Sequence, residues 1–412
     1  MLIAAATLAG SVLLYSNSTD MDMGPEKLIM KIQKEDAGHA VKKWLVRCRT
    51  SLLPRACLRS AARELLRSYA YEEVLAGFSA LGLTDNPVYY PECHEALYYI
   101  GALEYQRSKS ISGVYARSHG ACYYASYHGT LQGYFSAVVG SKEAYHDNEL
   151  IVAMQGACGN PGDYTTRLAY DQCFHGIGHA VMVLTDGDLM RSLRLCEVLK
   201  KENNTDTCTA AMLSDEADMC YSGAFMESLF SATHEHYSRR NSNQESRDLP
   251  CENFPAQYQT RCYAALPGKF YLDSNYDQHE TIARCSEIPP QYQERCFGEA
   301  GAFQVFYLDD VEAMRYCQVP TNPTYRSTCI RIASQMLVIR YEGKTEKAAK
   351  YCMDNIEPIN QQTCFHEIGR ILAAIDPEKA ARQTPCRTLM HPTYTAWCEQ
   401  GLRDGITQFA TR

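Results

Sequence analysis

From Cys251 onward, stretches of apolar and small residues alternate with short polar loops, and cysteines mark every border. The borders are Cys251/Cys262, Cys285/Cys296, Cys317/Cys329, Cys352/Cys364 and Cys386/Cys398, so the second cysteine returns every 33 to 35 residues. An aromatic or aliphatic residue follows it (Tyr263, Phe297, Ile330, Phe365). Then come small residues such as Gly298, Ala300, Gly301, Ala333 and Gly369, which let helices approach closely. A shorter helical stretch then runs into the next cysteine, as in Val311-Glu312-Ala313-Met314-Arg315-Tyr316-Cys317. Asp277 with Glu280, and Asp309 with Glu312, have capping-box spacing, while Asp376-Pro377 sets a cap before a proline at the first helical position. The loop between paired cysteines contains proline, which blocks helix continuation, and often a tyrosine four residues before the second cysteine: Tyr258, Tyr292, Tyr325 and Tyr394. Each unit therefore reads as helix A, turn, helix B. A period in the low thirties belongs to stacked helical hairpins, where one unit is too small to bury its own core.

Carried backward, the template recovers less regular units. Pro87, Tyr89 and Cys93 keep the loop spacing of Pro392, Tyr394 and Cys398, and Cys57, Cys122, Cys173 and Cys220 each open a helix-like stretch. The steps from Cys122 to Cys173, to Cys220 and to Cys262 lengthen to 51, 47 and 42 residues, so insertions fall in the middle units. The expected fold is all-α, an α/α solenoid of about ten hairpin units of about 34 residues stapled by disulfides. Its divisions are 1–18, a signal peptide or N-terminal membrane anchor; 19–47, a linker and N-terminal helix; 48–250, irregular repeats with insertions; and 251–412, regular repeats. In period and hairpin pattern, residues 50 to 412 resemble α/α repeat proteins of the tetratricopeptide or Sel1-like kind. The tetratricopeptide signature of Trp, Leu-Gly, Tyr and a closing Pro is absent, and no residue roles carry over.

Nineteen cysteines arranged in loop-closing pairs argue for an oxidising compartment. Zinc fits less well, because structural zinc sites want two to four residues between paired cysteines and here ten or eleven intervene. The expected bridges join Cys48 to Cys57, Cys158 to Cys173, and the five pairs from Cys251 to Cys398. The pairing of Cys93, Cys122, Cys196, Cys208 and Cys220 stays open: Cys196 to Cys208 matches the loop spacing, while Cys220 better matches a helix start. Leu2 to Tyr15 is an apolar run of signal-peptide length without a basic flank, consistent with export or an N-terminal anchor.

A net charge of −8 speaks against nucleic acid as a partner. Arg47, Arg49, Arg55, Arg59, Arg63 and Arg67 form a local basic cluster. It reads more simply as a solvated helix face than as a contact for lipid head groups.

Chemistry concentrates at Cys173-Phe174-His175-Gly176-Ile177-Gly178-His179. On a helix, His175 and His179 share a face, the spacing that lets two imidazoles hold one metal ion. His128 stands six residues after Cys122, as His179 stands six after Cys173, so adjacent A helices bring the three together. Such a set suits zinc, copper or iron. Glu227 and Glu95 are candidate carboxylates on flanking units. His366 has Arg370 where a second histidine would be. Asp186-Gly187-Asp188 reads as a turn with a cap, and His234-Glu235-His236 as part of an inserted loop. Two functions follow from the sequence: an exported or membrane-tethered scaffold whose concave, tyrosine-rich face binds a protein, peptide or glycan, or a metal-binding protein or metal-dependent enzyme using the His cluster.

Overall fold

The computed structural model describes residues 36–82, 90–140, 145–200, 215–230, 250–274, 277–307, 310–376, 380, 382 and 385–410. The apolar run Leu2–Tyr15, Cys208 and the His234-Glu235-His236 loop lie outside these. Contacts divide the chain into 1–35 and 36–412, and everything below concerns the second unit.

Among the described residues there are 18 α-helices and no strand. Three open the unit: α1 (Ala37–Arg49), α2 (Pro54–Ser68) and α3 (Tyr71–Gly82). Long and short helices then mostly alternate: α4 (Tyr90–Ser108), α5 (Ile111–Tyr115), α6 (Ala121–Val138), α7 (Asp147–Ala157), α8 (Arg167–Leu184), α9 (Leu189–Cys196) and α10 (Glu216–Phe230). The regular part continues with α11 (Ala256–Asp273), α12 (Gln278–Cys285), α13 (Pro290–Tyr307), α14 (Asp310–Tyr316), α15 (Pro323–Arg340), α16 (Thr345–Asn355), α17 (Pro358–Ile375) and α18 (Pro392–Ala410). Sequence signals explain many of the starts. Asp277 and Asp188 cap α12 and α9 by accepting from Glu280 N and Arg191 N at 3.1 and 2.9 Å, and Pro323 and Pro358 stand at first-turn positions. The Asp186-Gly187 turn has φ of 54° and 83°, the left-handed conformation that ends α8 before its neighbour begins.

From α4 onward each long helix packs against the next long one: α4 on α6, α6 on α8, α8 on α10, and so on to α17 on α18. In addition α4, α6 and α8 touch α13, α15 and α17, each five places further along this series. The row of helices thus curves back on itself. At one such meeting His119, before α6, places Nδ1 3.4 Å from Glu342 Oε1, just after α15, and 3.3 Å from the Ser79 hydroxyl of α3. Burial pushes the Glu342 carboxyl up, but the hydrogen bonds to His119 and Ser79 outweigh it and leave the group below the ordinary glutamate range. The apolar core falls into a cluster around Val41, Leu75, Leu97 and Ile100, and a larger one running through Leu131, Ile177, Phe225, Leu337 and Ile368.

Among the described residues, nine disulfides staple this arrangement. The seven expected bridges are present, Cys48–Cys57, Cys158–Cys173, Cys251–Cys262, Cys285–Cys296, Cys317–Cys329, Cys352–Cys364 and Cys386–Cys398. Of the cysteines left open, Cys196 bonds Cys220 and Cys93 bonds Cys122. Cys196–Cys220 follows the general rule that the end of a short helix is tied to the long helix after it. Cys93–Cys122 departs from it and joins two long helices directly.

A second tie recurs with the same period. Tyr292, Tyr325 and Tyr394 stack on Tyr263, Phe297 and Phe365, with centroids 4.1, 4.9 and 4.3 Å apart. Each stacked partner is the residue following the second cysteine one unit earlier. The tyrosine hydroxyls donate to Gln259, Gln293 and Gln361 of that earlier unit at 2.8, 3.1 and 3.3 Å. Those glutamines in turn donate to carbonyls of their own loops, Gln293 to Ser286 and Ile288 at 2.8 and 3.0 Å. Of the arginine cluster, Arg55 pairs with Glu95, while Arg47 and Arg59 lie over the rings of Trp44 and Tyr99.

Candidate metal site

Helix α8 carries two of the three histidines. Its start is fixed by the Thr166 side chain accepting from Ala169 N at 3.1 Å, by the Arg167–Asp171 ion pair at 2.8 Å, and by the Cys158–Cys173 bridge. One turn separates His175 from His179, so both rings leave the same face. The opposing helix α10 comes very close, because Gly178 and Gly223 interlock. A Cβ on Gly178 would fall on the Cys220 carbonyl oxygen, and one on Gly223 on the His175 carbonyl oxygen. That approach lets Glu227 of α10 reach across, with its Oε2 2.7 Å from His179 Nδ1.

His128 arrives from α6. Cys122, Tyr123 and Tyr124 at the start of that helix have φ of 50°, 56° and 59°, and His128 lies beyond them in the regular part. Its ring stacks on His179 with centroids 4.7 Å apart and lies 5.1 Å from His175. His175 Nε2 and His179 Nε2 face each other at 3.1 Å. One ligand nitrogen from each of the three residues falls within 4.8 Å of the other two. All three are buried, 4 to 6 % exposed. The convergence expected from equal offsets after Cys122 and Cys173 is therefore present.

Hydrogen bonds assign the protons. A carboxylate only accepts, so His179 Nδ1 donates to Glu227 and Nε2 is the ring nitrogen turned toward His175. His128 Nε2 donates to Gln172 Oε1 at 3.2 Å, leaving Nδ1 as the acceptor atom. That Nδ1 is buried and has no hydrogen-bond partner. Burial, and then the neighbouring His179, His175 and His94 rings, push His128 well below the ordinary imidazole range. His175 is lowered likewise, by burial first and then by His179, Arg261 and His94. Both are neutral near pH 7, the form that binds metal.

Two further expectations are resolved by geometry. Glu95 is not brought to the cluster; it pairs with Arg55 at 3.1 Å and accepts from the Tyr99 hydroxyl at 3.2 Å. His366 bonds Asp404 Oδ2 at 2.8 Å on a partly exposed face, and Arg370 donates to Glu367 at 2.6 Å, so this equivalent position is an ion-pair network. Sequence reasoning missed Gln172 and His94. His94 lies edge-on to His128, centroids 5.7 Å apart, and follows Cys93 by one residue, outside the six-residue register that singled out the other two long helices.

Comparison with family models finds no match, and searches of curated proteins and of solved structures return none. Function is therefore argued from the residues of the site.

Proposed function

We propose that this is an extracytoplasmic metal-binding protein, a solenoid of about ten hairpins whose His128, His175 and His179 hold one transition-metal ion. The observation that carries the reading is the set of three buried imidazoles with nitrogens within 4.8 Å, one of them an acceptor with no hydrogen-bond partner. Leaving such an atom buried and unpaired costs about 1–3 kcal/mol, which coordination removes. Glu227 behind His179 and Gln172 behind His128 match the outer-shell partners that orient metal-binding histidines and fix their tautomers. Nitrogen donors without a thiolate suit zinc, copper or non-haem iron. Nine disulfides indicate an oxidising, extracytoplasmic setting. Export or tethering through Leu2–Tyr15 completes the proposal.

A scaffold that binds a protein, peptide or glycan on its inner face is the weaker reading. Several tyrosines that favoured it, Tyr292, Tyr325 and Tyr394, stack between units instead. Elemental analysis of protein purified without a His tag should find about one metal ion per chain. His179→Ala should lose most of it with helicity and disulfides intact, and His366→Ala should retain it. No metal in the wild type, or equal metal in all three proteins, rejects the reading.

A further inference from the structure

We infer that His94 is the fourth ligand of this site, so that four imidazoles enclose the metal and no coordination position is kept for water; this rests on the metal reading above. In α4, His94 directly follows Cys93, whose bridge to Cys122 ties α4 to α6. The two helices are also drawn together by glycines. A Cβ on Gly129 would fall on the Tyr98 carbonyl oxygen, and one on Gly101 on that of Ser126. His94 is thereby held beside the triad, with its ring edge-on to His128 and centroids 5.7 Å apart.

Its proton is placed by the same device as in the others. His94 Nδ1 lies 2.9 Å from the Cys122 carbonyl oxygen, which only accepts, so Nδ1 carries the hydrogen and Nε2 is the ligand atom. Three of the four histidines thus have an outer acceptor, Glu227, Gln172 or the Cys122 carbonyl, that turns one ring nitrogen outward. A buried structural ion pair would need one cation and one anion. Here four imidazole rings gather with a carboxylate behind only one of them, an arrangement that a cation at their centre stabilises. His94 is half-buried where the other three are buried. Closed, all-protein coordination is the mark of sites that store, carry or structurally use a metal, whereas hydrolytic sites keep a position open.

Pulsed EPR of the wild-type protein loaded with Cu(II) alone counts the coordinated imidazoles through their remote nitrogens and detects bound water by exchange into D2O. Four imidazoles and no exchangeable water ligand are expected. In His94→Ala the count should fall to three, a water signal should appear, and Cu(II) affinity should drop roughly 100-fold, at the upper end of the ~10–100-fold seen for losing an outer-shell partner. Three imidazoles with water in the wild type, or an unchanged count in His94→Ala, overturns the inference while leaving the three-histidine reading in place. Wild-type protein that binds no copper, zinc or iron overturns both.

Discussion

The imidazoles of His128 and His175 carry a pH dependence whose sign is fixed by their environment. In the unfolded chain both take up protons near pH 6.5; in the fold, burial and the adjacent His179 ring hold them neutral well below that. Below pH 6.5 the unfolded state therefore binds more protons, and stability, complete above that pH, falls as pH drops toward the lowered folded values. Arg261 acts on His175 in the same direction as burial. Urea midpoints of metal-free protein should decline between about pH 6.5 and 5, and His128→Leu should flatten part of the decline. Glu227→Gln keeps the size of the residue but removes the charge behind His179, so metal affinity should fall about 10–100-fold with helicity unchanged. The histidine pair was legible in the sequence because i and i+4 share a helix face, and Glu227 because its offset from Cys220 nearly repeats that of His179 from Cys173. Gln172 and His94 were not. Gln172 acts through a neighbouring helix that no local spacing reveals, and α4 is bonded through Cys93 to another long helix, which breaks the register.

Between elements, glycines set distances that the site depends on. Gly178→Ala places a methyl group against backbone at the α8–α10 crossing, which cannot yield as a side chain does; a destabilisation of about 1–3 kcal/mol is expected, with weaker metal binding as Glu227 is pushed from His179. Gly162→Ala, with nothing within 4 Å of the added carbon, should leave both unchanged. Thermal melts and metal titrations of the two variants provide the check. The tyrosine–glutamine relay makes a smaller claim. Tyr292→Phe keeps the stack on Tyr263 but loses the bond to Gln259, which should cost about 0.5–1.5 kcal/mol in chemical denaturation. The tyrosines stood out in the sequence through their fixed distance from cysteine. The glutamines did not, because polar residues in polar loops carry no pattern until the carbonyls they bond are in place.

Over the whole molecule, the helical class and the five regular staples followed from spacing alone, since a proline-containing loop of a dozen residues between cysteines leaves few alternatives. The meeting of α4, α6 and α8 with α13, α15 and α17 did not, because curvature accumulates from small rotations at each helix pair, none of them encoded by a motif. Each regular bridge closes a loop of 11 or 12 residues, worth roughly 3 kcal/mol by the chain-entropy model, so reduction should lower the melting temperature of all units together. The order of the bridges also bears on biosynthesis. Eight of the nine join cysteines consecutive in the chain, and Cys196–Cys220 passes over Cys208. A chain entering an oxidising space amino end first would present nearly every thiol with its correct mate as the next to arrive, so a simple oxidant acting vectorially suffices. Cys196 alone meets a wrong mate first. Oxidative refolding without an isomerase should therefore stall at a Cys196–Cys208 species, and Cys208→Ser should remove that requirement.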